Sequence, residues 1–383
     1  MLKAYKFRIF PSRSQITKLE NTMDLCRELY NAALQERIGA YKINQISISY
    51  QDQQNQLPAI KQTNPEYKDI HSQILQDVLK RLDKAFQSFF RRIKRTEKAG
   101  FPRFQGKFRY NSFTFAQSGF SLFNDKLTLS KIGKVKIKLH RNIIGKVKTL
   151  TISRDSCGKW FACFAVETAC EILEPTTKSV GIDVGITTFA TLSDNIRIDN
   201  PKFLKTDEKI LATAQRQLSK HPKGSKQRHQ KRKIVALIHN RIKNRRSNFA
   251  HQVSRFLINS YDNIYFENLN IKKMLEDSDY AKSISDAAWS QTINYTTYKA
   301  ENAGRNVSLV NPAYTSQTCR ICGHCAQANR QTQAKFECVK CHHNENADLN
   351  AAKNILRLGL ESLGNQSLKA TSKRKFGGGV ITV

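Results

Sequence analysis

Apolar and polar residues alternate from Ala4 to Phe10, with Tyr5, Phe7 and Ile9 on one side and Lys6, Arg8 and Phe10 on the other. That period is a strand's. Pro11-Ser12 ends it, and Ser12 with Gln15 has the form of a capping box. Ile16, Leu19, Met23, Cys26, Tyr30 and Ala33 then recur at helical spacing, and the Gln-rich segment from Gln51 to Gln62 reads as a loop. A second helix, Ser72 to Arg95, carries Ile74, Leu75, Val78, Leu79, Leu82, Phe86, Phe89 and Phe90 as one apolar stripe. Its other face, Gln73, Gln76, Lys80, Arg81, Lys84 and Arg92, is either an ordinary solvated face or a face turned to a nucleic-acid groove.

The pattern changes at Gly100. Gly100-Phe-Pro-Arg-Phe-Gln-Gly106 is a loop rich in aromatics and cations. Short strands follow at Ser112–Ala116, Lys126–Leu129, Lys134–Leu139, Thr149–Ser153 and Trp160–Glu167, separated by turn residues, as in a small β-barrel. With a strand before the first helices and more after them, the reading is one barrel interrupted by a helical insertion. Glu171 to Thr177 is a linker. Val180–Val184, Thr188–Leu192 and Ile196–Ile198 make a meander, and Lys209 to Ile258 is helical, split by a Pro-Lys-Gly turn. A strand over Ser260–Glu267, a helix from about Ile284 to Glu301 and a strand at Val307–Val310 give the alternation of an α/β layer.

Charge narrows the function. Lys and Arg total 64 against 31 acids, a net charge of +33. A balance of this size selects a polyanionic partner, nucleic acid ahead of an anionic membrane. No stretch reaches the ~18 apolar residues of a spanning helix, and the N-terminus lacks a signal-peptide core, so the expected compartment is the cytoplasm. No acid lies between Glu208 and Asp262. The run from Lys220 to Lys233 is either a localisation-like tract or a helical hairpin lying along phosphates, and the hairpin fits better.

Two constellations carry chemistry. Cys319-x-x-Cys322 and Cys338-x-x-Cys341 have the spacing of a four-cysteine structural zinc site, with His324, Cys325, His342 and His343 as spare ligands. The remaining cysteines are scattered and read as small core residues. The second set is acidic. Asp183 interrupts a buried strand flanked by Gly181 and Gly185, where a lone carboxylate is costly and glycine often marks close approach of backbone or ligand. Glu267 ends a strand, and Asp348 falls in the first turn of a helix capped by Asn346. Three convergent carboxylates would suit Mg²⁺ or Mn²⁺, and two such ions ~4 Å apart suit phosphodiester hydrolysis. The alternative for Asp183 alone is an edge-strand carboxylate facing water.

Gly181-Ile-Asp-Val-Gly-Ile-Thr-Thr-Phe-Ala190, Ala281-Lys-Ser-Ile-Ser-Asp-Ala-Ala-Trp289, Thr315-Ser-Gln-Thr-Cys-Arg-Ile-Cys-Gly323, Asn346-Ala-Asp-Leu-Asn-Ala-Ala-Lys-Asn-Ile355 and Gln73-Ile-Leu-Gln-Asp-Val-Leu-Lys-Arg-Leu-Asp-Lys-Ala-Phe86 together resemble the TnpB proteins of bacterial insertion sequences. The resemblance spans nearly the whole chain. It implies a multidomain α+β protein: an N-terminal β-barrel (wedge) over 1–12 and 100–172, and a helical recognition insert over 13–99. It also implies an RNase H-like (RuvC) α/β nuclease domain over 178–314 and 343–363, a zinc ribbon over 315–342 and a disordered tail over 364–383. The implied activity is RNA-guided cleavage of double-stranded DNA beside a short target-adjacent motif, related to type V CRISPR effectors, with a guide RNA from the transposon end. By motif, Asp183, Glu267 and Asp348 would be the catalytic metal-binding acids. Cys319, Cys322, Cys338 and Cys341 would hold zinc, and Gln76 would sit in the helix facing the target-adjacent motif. The rivals are a non-cleaving RNA-guided DNA-binding regulator and a zinc-ribbon DNA-binding accessory protein without RNA. Whether one or two chains bind an RNA is left open.

Overall fold

The structure, a computed structural model, describes residues 1–107, 109–276 and 280–375, with side chains described as far as Ser362. It divides into two compact units, Met1–Ala169 and Cys170–Val383.

The first unit opens with β1 (Leu2–Phe10), whose Tyr5, Phe7 and Ile9 are buried as the alternation requires. Ser12 and Gln15 form the reciprocal capping box at the head of α1 (Arg13–Asn44). The Gln-rich stretch expected as a loop is instead α2 (Tyr50–Asn55) and α3 (Leu57–Thr63). The polar composition hid a second capping box, Ser49 with Asp52, and a buried Gln53 that donates to Ala33 O at 2.9 Å and Glu36 Oε2 at 2.6 Å. Helix α4 (Ser72–Lys94) buries Ile74, Leu75, Val78, Leu79 and Leu82, while the last aromatic of its stripe, Phe90, stands in solvent.

Six more strands follow: β2 (Ser112–Phe115), β3 (Phe120–Phe123), β4 (Lys126–Leu129), β5 (Gly133–Lys138), β6 (Lys146–Arg154) and β7 (Trp160–Glu167). β3 was not foreseen, being short and without a fully buried position. The seven strands form one antiparallel sheet in the order β2-β6-β7-β1-β5-β4-β3. β1 lies between β7 and β5, so the sheet is built from both sides of the helices, as the interruption requires. It is nearly closed rather than a complete barrel. No ladder joins the edge strands β2 and β3 among the described residues, and Phe115 and Phe120 meet edge-to-face across the seam at 6.2 Å.

Two residues of the polar face of α4 prove to be internal anchors. Arg81 binds Asp77 at 2.7 Å, Ser112 O at 2.9 Å and Thr114 Oγ1 at 2.7 Å. Gln73 Oε1 accepts from the backbone N–H of both Gln117 and Ser118, each at 2.9 Å. Both are therefore spent on the sheet rather than offered to a groove.

In the second unit, β8 (Ser179–Val184), β9 (Thr188–Leu192) and β10 (Arg197–Asp199) form the antiparallel meander. Helices α5 (Phe203–Ser219) and α6 (Lys226–Ser260) are the basic hairpin, with Ser225 capping α6. β11 (Asn263–Glu267) then pairs parallel to β8. After α7 (Ile271–Glu276), the expected single helix is two, α8 (Ala281–Ala287) and α9 (Trp289–Ala303), because Ala288 takes a left-handed φ of 55°. β12 (Asn306–Val310) pairs parallel to β11. The small ribbon of β13 (Lys335–Glu337) and β14 (Asn344–Asn346) leads into α10 (Ala347–Lys375). Part of the tail read over 364–383 belongs to α10, and 376–383 lie outside the described residues. No helix among the described residues is long and apolar enough to cross a membrane.

The five-stranded sheet, in the order β10-β9-β8-β11-β12, is covered on both faces. Val180, Ile182, Ile264 and Phe266 face a core shared with Val253 and Leu257 of α6 and Trp289 and Ala300 of α9. Tyr265 and Val310 face Ile355 and Leu356 of α10. At Gly181 the helix comes against bare backbone. A Cβ there would lie 2.2 Å from Ala352 O and 2.4 Å from Leu356 N. Both obstacles are main chain, so neither can swing aside. Gly181→Ala should destabilise the chain by at least the ~1–3 kcal/mol of overpacking, read as a fall in urea midpoint. An unchanged midpoint would show that α10 sits further from β8.

Candidate active site

Strand parity brings the acids to one face. Ile182 and Phe266 are register partners in adjacent parallel strands, and both point to the α6/α9 core. Asp183 and Glu267 are each one residue later, so both side chains point to the opposite face, which α10 covers. Asp348 comes from the helix itself, one residue into α10, where Asn346 Oδ1 caps Leu349 N at 3.2 Å. The structure thus brings together all three acids singled out from sequence. Gln76 lies in the other unit, half-buried on α4.

The electrostatics bear out their proximity. Burial pushes Asp183 well above the ordinary carboxylate range, the charges of Glu267 and Asp348 push it the same way, and Arg330 opposes them. Glu267 and Asp348 are also raised, each mainly by burial. Asp183 is therefore not an edge residue facing water. The fold holds like charges together where solvent cannot screen them fully, a condition that favours a bound cation.

Two partners had no clear sign in the sequence. Thr315 Oγ1 donates to Glu267 Oε1 at 2.6 Å. Arg330 Nη2 lies 3.7 Å from Asp348 Oδ1. Thr315 could have been suspected from its place just before the first cysteine pair. Arg330 sits in an irregular loop whose position only the folded ribbon fixes.

The ribbon itself matches its reading. The sulfurs of Cys319, Cys322, Cys338 and Cys341 all lie within 4.8 Å of one another, with Cys319–Cys341 at 3.6 Å and Cys322–Cys338 at 3.5 Å. Tetrahedral zinc with Zn–S near 2.3 Å separates its sulfurs by ~3.8 Å. The two knuckles repeat one turn: Gly323 N donates to Cys319 O and His342 N to Cys338 O, with Gly323 and His342 at left-handed φ of 71° and 58°. His324, Cys325, His342 and His343 are outside the four-sulfur group. Four sulfurs leave no open position, so such a site is structural. The ribbon is tied to α10 by Asn350 Nδ2 to Thr318 O at 2.9 Å and by Asn354 Nδ2 to Thr315 O at 2.9 Å and Thr318 O at 2.7 Å.

Comparison with known proteins agrees with this geometry. Residues 162–277 match a family described as "Probable transposase", 289–355 a "Cas12f1-like, TNB domain" and 1–45 a "Helix-turn-helix domain". In this chain residues 1–45 are one strand and one long helix, so the last description does not fit the local shape. Two proteins named "Putative RNA-guided DNA endonuclease" are each 32% identical to the chain. That of Streptomyces pristinaespiralis is aligned over 94% of this chain and 89% of its own length. InsQ of Escherichia coli K12 is aligned over 94% and 92%. The fold resembles that of Cas12f1 in a solved Cas12f1–sgRNA–target DNA complex, with a TM-score of 0.58, 17% identity and coverage of 89% and 82% of the two chains.

Two outcomes follow. A raised carboxyl pKa means that the folded chain holds a proton more tightly than the unfolded one. Stability is then lost as pH rises from the ordinary carboxylate range through the folded value. Asp183→Asn should therefore raise the melting temperature of metal-free protein at neutral pH and leave it unchanged in acid. Each kcal/mol gained is worth roughly 2–4 °C in a domain of this size. A variant that melts no higher than wild type at neutral pH would remove the charge crowding. Zinc should be found at one ion per chain by elemental analysis. Its chelation should expose the ribbon to proteolysis and release Thr315 from Glu267, whereas resistance to chelation and proteolysis would count against a metal-held ribbon.

Proposed function

Because the chain belongs to the TnpB family of transposon-encoded proteins, whose members include the RNA-guided DNA endonucleases it matches, we propose that it is itself an RNA-guided DNA endonuclease with Asp183, Glu267 and Asp348 as its catalytic, metal-binding carboxylates. The observation that carries the assignment is the register of β8 against β11, which turns two acids to the face where the first turn of α10 supplies the third. The strand order β10-β9-β8-β11-β12, with the first three antiparallel and β8, β11 and β12 parallel, supports an RNase H-like, RuvC-type nuclease domain. On this reading the wedge is 1–12 and 100–172, the recognition insert 13–99, the nuclease domain 178–314 and 343–363, and the ribbon 315–342.

The side chains divide the work. β8 and β11 hold Asp183 and Glu267 at strand ends, and α10 holds Asp348 by its capped first turn. Thr315 fixes one oxygen of Glu267 and leaves the other free to ligate. Arg330 keeps a positive charge at Asp348 until a cation takes that place. Mg²⁺ or Mn²⁺ bound by the three would activate water and neutralise the leaving oxygen, giving a 3′-hydroxyl and a 5′-phosphate. Sequence specificity would come from pairing with a guide RNA encoded at the transposon end, with the protein holding backbones and reading a short adjacent motif. Gln76 on α4 is the side chain assigned to that motif, since an amide can pair with adenine in the major groove.

Asp183→Ala removes a ligand from a site that stabilises several kcal/mol of developing charge. Cutting of a guide-matched duplex in Mg²⁺ should fall about a thousandfold or more, with target binding retained in a gel-shift assay. Equal cutting by variant and wild type would overturn the acid assignment. A wild type that binds its target but cuts nothing would favour the non-cleaving regulator.

A further inference from the structure

The end of α4 and the loop after it form an aromatic recess that the proposed chemistry leaves unused. A cavity of about 510 Å³ opens between the C-terminal part of α1, residues 47–49, the last turns of α4 and Phe101. Its size lies within the ~300–1,000 Å³ range of sites that take small planar ligands. Its walls include Tyr41, Phe86, Phe89, Phe90 and Phe101. Phe101 stands edge-on to Phe86 at 5.5 Å and to Phe89 at 5.2 Å, so its ring is splayed from both, while Phe86 and Phe90 lie near-parallel at 6.3 Å. Phe90 and Phe101 remain 54% and 46% exposed, which leaves ring faces open to a partner.

Two further observations identify that partner. Arg37 lines the cavity and is 9% exposed. Its Nε is satisfied by Gln53 at 2.8 Å and its Nη1 by Asp83 at 3.2 Å, yet Nη2 is buried and has no hydrogen-bond partner among the described residues. A buried guanidinium donor without an acceptor is unfavourable, so a ligand that brings an acceptor to Arg37 from the cavity it lines would be stabilised there. The lining carries Arg37 and Lys42 against Asp83, and the chain between its lining residues Phe90 and Phe101 and just beyond them is cationic: Arg91, Arg92, Lys94, Arg95, Lys98 and Arg103 are exposed, and Glu97 is the one acid between Lys84 and Lys107. Aromatic faces within a cationic rim are how proteins take unpaired bases while holding the backbone. A second copy of the chain would set two such cationic segments against each other and is disfavoured by charge.

We propose that this recess binds an unpaired nucleobase of the RNA, stacked on Phe90 and Phe101 with an acceptor edge toward Arg37. RNA rather than DNA is the source because a resident RNA presents unpaired bases continuously, whereas duplex DNA keeps its bases stacked and paired. The inference rests on the RNA partner proposed above.

The test uses the full chain purified with its copurifying RNA. After short-wavelength irradiation, RNA adducts mapped by mass spectrometry should fall on Phe90 and Phe101. The double variant Phe90→Ala/Phe101→Ala should lose them and bind the same RNA roughly five- to a hundredfold more weakly. Its salt dependence should match wild type, because no phosphate contact is removed. Phe90→Trp/Phe101→Trp should restore adducts and affinity. Were the alanine variant not to fold, the adducts of wild type and tryptophan variant would decide alone. RNA-loaded wild type without adducts there, or with adducts only to a DNA strand, overturns the site, as does a dimer that the alanine variant dissolves. A chain that purifies without RNA defeats the RNA-guided reading itself, which keeps the two failures apart.

Discussion

The second unit depends on one close approach, that of helix α10 to the backbone of β8. Gly181 is the residue that permits it, because any side chain there would meet Ala352 and Leu356 main chain. A second glycine makes the reciprocal fit, since a Cβ at Gly359 would enter the Tyr265 ring. These two contacts hold α10 flat on the sheet, and the start of the helix then delivers Asp348 to the strand ends carrying Asp183 and Glu267. Three carboxylates repel one another in that position, and the apolar contacts of Tyr265, Val310 and Ile355 help secure the helix against the sheet despite it.

That local excess of negative charge sits within a chain of net charge +33. Much of the positive charge is also unneutralised locally. Lys126 and Lys136 are direct cross-strand partners in the first unit, a pairing of like charges that destabilises a sheet. The acids of the helical hairpin are tied up, with Asp207 held by Arg245 at 3.2 Å and Glu208 by Lys282 of α8 at 3.4 Å, while Asp286 of α8 takes Arg246 at 2.6 Å. With so few acids to neutralise them, the many cations of α5 and α6 suit an external polyanion, which is the arrangement expected of a protein whose working form includes nucleic acid.

How much of this could be read from the residues alone depended on how local the cause was. The β1 alternation, the Ser12–Gln15 box, the α4 stripe and the cysteine spacing are written within a few residues of where they act, and each was legible. The acids were legible as types in settings that suit them, while their meeting point follows from a strand register that no single segment encodes. Misreadings came where a distant partner changes a residue's role. Arg81 has the appearance of a surface cation until β2 arrives to bind it. Gln53 has the appearance of a loop residue until α1 supplies its acceptors. Ala288 breaks a helix that its composition would continue. Arg330 reaches the acids only because the ribbon folds back.

The ribbon is therefore more than a stabilising appendage. Its metal would fix the loop from Thr315 to Cys341, and that loop touches the acid cluster twice, through Thr315 on Glu267 and Arg330 on Asp348. Helix α10 closes the circuit: Asn350 and Asn354, two and six residues beyond Asp348, grip the ribbon's backbone. Arg320 and Lys353 converge on Glu345 between the ribbon and the helix. A change in the sulfur cluster would move Thr315 and Arg330 before it reached the sheet, so a metal held there would help set the orientation of Glu267 without any chemistry of its own. This coupling gives a physical reason for building the two constellations around one helix: four sulfurs hold rigid what three oxygens need aligned.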